Sequence, residues 1–220
     1  MRMFNQIFKL TASLFLLVFS ATAHSQEVEV NTMDPYVMVE TVANNTFDRF
    51  HHDFAIIETN PDHLKVIVSD ELMPYIDTKY ASYKVMGTYL RKTTKEQRER
   101  FVEAFKGYLI STYAQAFTEY TDQKVSFARA ADFSKEKMVS VDVQIIDAGR
   151  PPIKLQFRVR RLKDDSWKAF DLVAEGVSLL ASKSSEISNL IRQKGIDAVI
   201  AELDERTKAS IHRESADKKA

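Results

Sequence analysis

Three histidines and an aspartate lie close together near residue 50. His51, His52 and Asp53 are consecutive, and His63 follows a short distance along the chain. Imidazole and carboxylate groups bind metals, so this grouping raises the question of a metal site. Adjacent helical residues point about 100° apart, whereas metal-binding pairs on helices are spaced by four residues. The spacing therefore favours a solvated helix end, and we predict no metal site.

Asp171 and Glu175 are carboxylates within an otherwise apolar stretch. Asp171 lies on a predicted strand, and Glu175 precedes Gly176 where that strand gives way to a helix. Two carboxyl groups at a partly buried site could serve as the acid and base of a small cavity enzyme, an isomerase or hydrolase. They could instead be turn or capping carboxylates that accept backbone N–H bonds. The pattern favours the second interpretation and leaves the first open.

Other catalytic and cofactor patterns are missing from the sequence. The chain has no cysteine, which excludes thiol catalysis, disulfides and thiolate metal sites. The serines after Asp171 have no G-x-S-x-G motif around them, and the five glycines are too scattered for a phosphate-binding loop. With 31 basic and 31 acidic residues, the chain lacks the positive charge of a typical nucleic-acid-binding protein. We predict a non-enzyme without cofactor, metal or nucleic acid.

The N-terminus has the pattern of a secretory signal peptide. Arg2 and Lys9 precede an apolar run over 10–19, and Ala21 and Ala23 form a small-x-small cleavage pattern. The run is about half the ~20 residues that span a bilayer. We expect cleavage after Ala23 and a mature protein outside the cytoplasm, with a slight acidic excess.

Hydrophobic periodicity divides the rest of the chain into elements. We predict a flexible segment over 24–33, a single domain over 34–204 and a polar tail over 205–220 that frays after Asp204. A period of 3.6 predicts helices over 35–54, 61–73, 77–86 and 95–121, and two more after residue 177. Asp34 followed by Pro35 and the Thr94–Gln97 capping box mark two helix starts.

A period of two replaces the helical period between residues 125 and 173. The predicted strands alternate apolar and polar residues, which is typical of an antiparallel sheet covered on one side. Helices, then a meander, then helices, without a flexible linker, predict one α+β domain. We expect a curved antiparallel sheet of about four strands packed against a helical layer.

Tyrosine is concentrated in one part of the chain. All but one of the eight tyrosines lie between residues 75 and 120, together with Phe101, Phe105 and Phe117. Tyrosine favours places where apolar surface meets water, such as the rim of an apolar cavity or an interface. The pattern favours an ordinary helix and sheet core and leaves the cavity rim or interface open.

Four segments carry a family resemblance: DPYVMVETVANNTFDRF at 34–50, residues 72–120, GRPPIKLQFRVRR at 149–161 and WKAFDLVAEGVSLLASKSSE at 167–186. Together they resemble the toluene-tolerance family over essentially the whole predicted domain. Phe170 stands where a tyrosine is common in that family, a conservative departure.

The resemblance implies a periplasmic carrier of glycerophospholipid. It implies a helix and sheet fold that encloses an apolar lipid cavity, with the acyl chains inside, the headgroup outside and no catalysis. It also implies a monomer that shuttles lipid from the outer to the inner membrane and maintains outer-membrane asymmetry. Its implied partners are an outer-membrane lipoprotein–porin complex and an inner-membrane ABC transporter complex with a hexameric lipid-binding ring. A periplasmic adaptor or chaperone for a protein client is the alternative binding function.

The phase of the predicted elements indicates which residues line such a cavity. We predict this lining from the helices and strands together: Tyr80, Met86, Phe101, Phe105, Tyr108, Leu109, Val143, Ile145, Leu155, Phe157, Leu172, Val173 and Val177. Gly107, inside the long helix, predicts a close approach of the sheet or the ligand. Arg158, Arg160, Arg161 and Lys163 form either a solvated strand face, which the pattern favours, or a docking patch.

Overall fold

The computed structural model describes residues 29–120, 123–147 and 149–212. The predicted signal peptide over 1–23, residues 24–28 of the predicted flexible segment and residues 213–220 of the predicted tail lie outside the described residues. Within the described part of the chain, five helices precede a sheet and two follow it. No helix in these ranges combines the length and hydropathy needed to cross a membrane.

The first helix, α1 (Pro35–His52), begins as its capping sequence predicts. Oδ1 of Asp34 accepts hydrogen bonds from the backbone N–H of Tyr36 and of Val37, at 2.9 and 3.1 Å. The predicted apolar stripe ran on to Phe54, but the helix ends before Asp53. Phe54 starts the short helix α2 (Phe54–Thr59) instead.

Short helical pieces connect α2 to the longest helix. They are α3 (His63–Ile67), a π turn over Val68–Leu72, a 3-10 turn over Met73–Tyr75, α4 (Thr78–Met86) and a 3-10 turn over Gly87–Lys92. The helix α5 (Lys95–Phe117) starts at the predicted capping box. There the backbone N–H of Gln97 donates to Oγ1 of Thr94, and Oε1 of Gln97 accepts from the backbone N–H of Thr94, both at 3.1 Å.

The sheet is antiparallel throughout and its strands follow in chain order, as the predicted meander requires. Its strands are β1 (Lys124–Phe127), β2 (Met138–Ile146), β3 (Ile153–Arg161), β4 (Trp167–Ala174) and β5 (Val177–Ser178). The fifth strand, only two residues long, was not predicted. Paired residues of neighbouring strands share a face, so the pairs Val143–Leu155 and Phe157–Leu172 lie on one side of the sheet.

A β-bulge in β4 changes which residues face that side. Arg158 pairs with Asp171, whereas the next residue, Val159, pairs with Ala169, so Phe170 has no partner on β3. Val173 pairs with Gln156 and therefore lies on the face opposite to Leu172. The sequence predicted both Leu172 and Val173 as cavity lining, but neighbours on a strand point to opposite faces.

Two helices complete the described chain, α6 (Leu179–Lys194) and α7 (Ile196–Lys208). Ordered structure extends beyond α7, because Ile211 is buried and its backbone N–H donates to Oδ1 of Asp62 at 2.9 Å. Nζ of Lys65 also donates to the carbonyl oxygen of Ala209, at 2.6 Å. The prediction that the chain frays after Asp204 is therefore wrong for residues 205–212.

Candidate functional site

Three clusters of buried side chains form the interior. The first joins α4, α5, α6 and α7, and its buried members include Met86, Phe101, Phe105, Tyr108 and Ile187. The second joins α1, α3 and α5 and includes Phe50, Ile67, Met73, Ala114 and Ile211. The third, or sheet cluster, joins α1 to the sheet and includes Met38, Val42, Val141, Val143 and Trp167.

Partly exposed apolar side chains connect these clusters. Leu109 packs against the first and second clusters, and Leu72 against the second and the sheet cluster. Leu155 and Phe157 on the sheet, like Tyr113 on α5, are also only half-buried. Apolar side chains on α5 and on the sheet are thus left partly exposed, where a single close-packed core would cover them.

The predicted lining residues differ widely in exposure. Met86, Phe101 and Phe105 are at most 1% exposed, so protein already covers them, and the Phe101 and Phe105 rings stack at 5.8 Å. The partly exposed group is Tyr80, Leu109, Ile145, Leu155, Phe157 and Leu172. The remaining members are Tyr108, Val143 and Val173, which are buried, and Val177, which is 57% exposed. Contact with an acyl chain requires accessible apolar surface, so the partly exposed group has the strongest claim.

Tyr113 belongs with this group, although we did not predict it from the sequence. Burial raises the pKa of Tyr113 to about 12, and the negative charge of Asp171 adds to the rise. The side chain therefore stays neutral and lies near the sheet as well as on α5. Its position one helical turn after Leu109 is the signal that could have identified it.

Asp171 and Glu175 are held by backbone donors, as the capping interpretation expects. Asp171 is 7% exposed, and its Oδ1 accepts from the backbone N–H of Leu180 at 3.0 Å. Its Oδ2 accepts from Oγ of Ser178 at 2.8 Å and from Arg158 at 3.4 Å. Oε1 of Glu175 accepts from the backbone N–H of Lys154 at 2.5 Å. Both carboxylates hold the end of the sheet and the start of α6 in place.

Asp53 is not the solvated helix end that we predicted. It is 5% exposed, and its carboxylate contacts Nε of Arg49 at 2.6 Å, Nδ1 of His52 at 2.7 Å and Nε2 of His63 at 2.7 Å. Burial alone would raise its pKa, but hydrogen bonds from His63, His52 and Arg49 outweigh burial and lower the pKa well below the usual range. Within the described ranges, no group of histidine and carboxylate side chains is arranged to hold a metal ion.

The arginines of β3 correct both interpretations of the basic cluster. Arg160 pairs with Asp77 at 2.5 Å and lies 4.4 Å from the centre of the Tyr80 ring. Arg161 lies over the Trp167 ring and donates to the carbonyl oxygen of Phe133 at 2.7 Å. Arg158 contacts Asp171 on the neighbouring strand β4 and stays exposed, as does Lys163. The basic cluster is therefore neither a purely solvated face nor a free docking patch.

Gly107 is approached by α7, whereas we predicted the sheet or the ligand. A Cβ at this position would lie 2.8 Å from Cγ2 and 2.9 Å from Oγ1 of Thr207. Oγ1 of Thr207 donates to the carbonyl oxygen of Leu203, and Oγ of Ser111 donates to that of Thr207, both at 2.9 Å. Glycine here allows α5 and α7 to pack closely.

Gly107→Ala is therefore expected to destabilise the protein by about 1 to 2 kcal/mol, despite the higher helix propensity of alanine. Chemical denaturation measures this change. The double variant Gly107→Ala/Thr207→Ala, which removes both close atoms, should recover most of the loss. A single variant as stable as the parent would contradict the contact.

Comparison with known proteins gives this fold a family. A family model described as MlaC protein matches residues 40–205. The intermembrane phospholipid transport system binding protein MlaC of Haemophilus influenzae is 33% identical over 77% of this chain and 80% of its own. The toluene tolerance protein ttg2D of Pseudomonas putida is 25% identical over 64% of this chain and 65% of its own.

A solved structure supports the fold. The phospholipid-binding protein from Ralstonia solanacearum, solved in complex with a phospholipid, has a TM-score of 0.71 and 24% identity. The likeness covers 79% of this chain and 97% of that one. The mixed helical and antiparallel-sheet architecture predicted from the sequence is thus confirmed, and with the match over residues 40–205 the chain belongs to the MlaC family.

Proposed function

We propose that this protein carries glycerophospholipid through the periplasm, with the acyl chains against the partly exposed apolar surface between the sheet and α5. The observation that carries the proposal is the partial exposure of apolar side chains on α5, Leu109 and Tyr113, and on the sheet, Leu155, Phe157 and Leu172, in a fold shared with a phospholipid complex. The family's named relatives in phospholipid transport and toluene tolerance support it.

Magnitudes explain why such a carrier needs an apolar interior and no catalytic group. Exposing two acyl chains with roughly 30 methylenes to water costs about 24 kcal/mol of free energy, at ~0.8 kcal/mol for each methylene. A carrier must therefore replace nearly all of the apolar surroundings of the bilayer. If the carrier and the bilayer surround the acyl chains almost equally well, lipid transfer is close to thermoneutral. The direction of transport then comes from the docking partners and from ATP hydrolysis at the transporter.

The proposed route connects the two membranes of the envelope. The signal peptide over 1–23 directs the chain to the periplasm, where it acts as a monomer without cofactor. It receives lipid at an outer-membrane lipoprotein–porin complex and delivers it to the hexameric ring of an inner-membrane ABC transporter. The domain extends from residue 34 past the predicted end at 204 to residue 212, since α7 runs to Lys208 and Ile211 is buried in the second cluster.

Organic extraction of the purified mature protein, followed by mass spectrometry, tests the proposal. We expect close to one phospholipid per protein. Leu172→Glu places a carboxylate where an acyl chain lies and should lower lipid content at least about fivefold with the circular dichroism spectrum unchanged. Ser140→Glu is the matched control and should retain lipid. Ser140 is exposed and pairs with Arg158, so it lies on the sheet face opposite to Leu172.

An empty wild-type protein with a protein client would instead favour the adaptor function. Turnover of a substrate that Asp171→Asn abolishes would favour the enzyme. Equal lipid content in Leu172→Glu and wild type would show that the acyl chains lie elsewhere.

A further inference from the structure

The segment from α4 through the following 3-10 turn carries an unusual surface charge. Lys79, Lys84, Arg91 and Lys92 are all exposed, and Asp77 is the single acidic residue between positions 77 and 92. Asp77 is already paired with Arg160. Because the whole chain has a formal net charge of zero, this segment concentrates positive charge that the rest of the chain balances at a distance.

These four cations lack ion-pair partners in the described ranges, since no carboxylate oxygen there lies within 4.0 Å of them. Several cations of α6 and α7 differ. Lys194 and Arg206 both pair with Glu202, and Lys208 pairs with Glu205. The charge of the α4 segment is therefore available to an external acidic group.

Tyrosine rings hold three of the ammonium groups in position. Lys79 lies 5.9 Å from the centre of the Tyr83 ring, and Lys84 lies 5.5 Å from that of Tyr80. Lys92 lies 5.5 Å from the centre of the Tyr89 ring. Tyr83 and Tyr89 pack against the first cluster, so the rings are anchored. An ammonium group held over a ring loses less freedom when it binds a partner.

An open cleft of about 540 Å³ adjoins this surface. Lys79 and Tyr83 form one wall, α5 contributes Arg100 with the carboxylates of Glu99 and Glu103, and α7 contributes Asp204. A concave site of mixed charge is suited to an inserted protein side chain, because a lipid bilayer presents a flat and uniformly anionic surface. The cleft therefore favours a protein partner over a membrane.

We propose that Lys79, Lys84, Arg91 and Lys92, with their tyrosines, form a docking surface for an acidic patch on a partner protein. The surface fastens the protein by charge-assisted contacts that salt weakens, which allows a carrier to bind and leave repeatedly. The proposal rests on the proposed function only for the choice of binding probes.

Charge reversal tests the proposal. The probes are the purified transporter complex and the purified lipoprotein–porin complex in lipid nanodiscs, with phosphatidylethanolamine vesicles containing phosphatidylglycerol as the membrane probe. Lys84→Glu/Lys92→Glu should weaken binding to at least one protein complex by about tenfold or more and flatten its salt dependence. Lys135→Glu/Lys163→Glu, the same charge change at exposed lysines elsewhere, should bind like wild type.

Three results would overturn the docking surface: wild-type binding of the Lys84/Lys92 variant to both complexes, an equal loss in the control variant, or a loss confined to the vesicles. Lipid content of the same samples separates the two proposals. A variant that retains phospholipid and fails to bind supports the docking surface. A wild-type protein that is purified without phospholipid and still binds a complex contradicts the carrier function alone.

Discussion

Replacing Asp171 by alanine is expected to lower the free energy of unfolding by about 3 to 4 kcal/mol. The change removes the acceptor for the Leu180 N–H and the Ser178 hydroxyl and leaves Arg158 without its carboxylate. It also removes a negative charge from the N-terminus of α6, where the helix dipole favours one. In a protein of this size the loss corresponds to a melting temperature lower by about 10 °C.

Thermal unfolding with conservative controls measures this effect. Asp171→Asn keeps one acceptor oxygen and should lose much less stability. Asp142→Ala, an exposed strand position with one side-chain bond to Gln156, should change stability by less than about 1 kcal/mol. An Asp171→Ala protein that melts like wild type would refute the structural role of this carboxylate.

Replacing Asp53 by alanine is expected to cost about 3 kcal/mol at neutral pH, because Arg49 and His63 lose their shared acceptor at a buried position. Arg49 is partly exposed, so water compensates for some of the loss. Without this carboxylate the contact between α1 and α3 is weaker, so amide hydrogen exchange in the variant should rise first in these two helices.

Asp53 also predicts how stability depends on pH. Its pKa is lower in the folded protein than in the unfolded chain, so the unfolded chain binds the proton first as pH falls. The stabilisation is complete above the unfolded value of about 4 and is lost as pH falls from there towards the folded pKa. Urea denaturation across this range should show a steeper acid loss for wild type than for Asp53→Asn. Equal slopes would refute the shifted pKa.

Local patterns predicted most of the elements correctly. Asp34 and the Thr94–Gln97 box located the starts of α1 and α5, because capping is decided by residues within one helical turn. Alternation located β2 and β3, since a half-buried strand repeats every two residues. Errors came where an element changes within a few residues, as at Asp53, or after a bulge, as at Val173, which lies on the face opposite to Leu172.

Which of the predicted lining residues contact lipid stays a prediction. Leu155, Phe157 and Leu172 are partly exposed, but periodicity could not separate them from Phe101 and Phe105, which are completely covered. Both groups lie on apolar faces of their elements. Only the packing of α6 and α7 over α5 decides which apolar faces are covered.

By itself, the sequence determined the α+β class, the order of helices and strands, the absence of thiol chemistry and the family resemblance. These depend on composition and on neighbours a few residues apart. Only the tertiary structure decided that Asp53 meets His63, that Thr207 approaches Gly107, that Arg160 binds Asp77 and that Val173 turns away from Leu172. Such contacts depend on chain direction, strand register and one bulge, so residues far apart in sequence meet only when the whole domain is assembled.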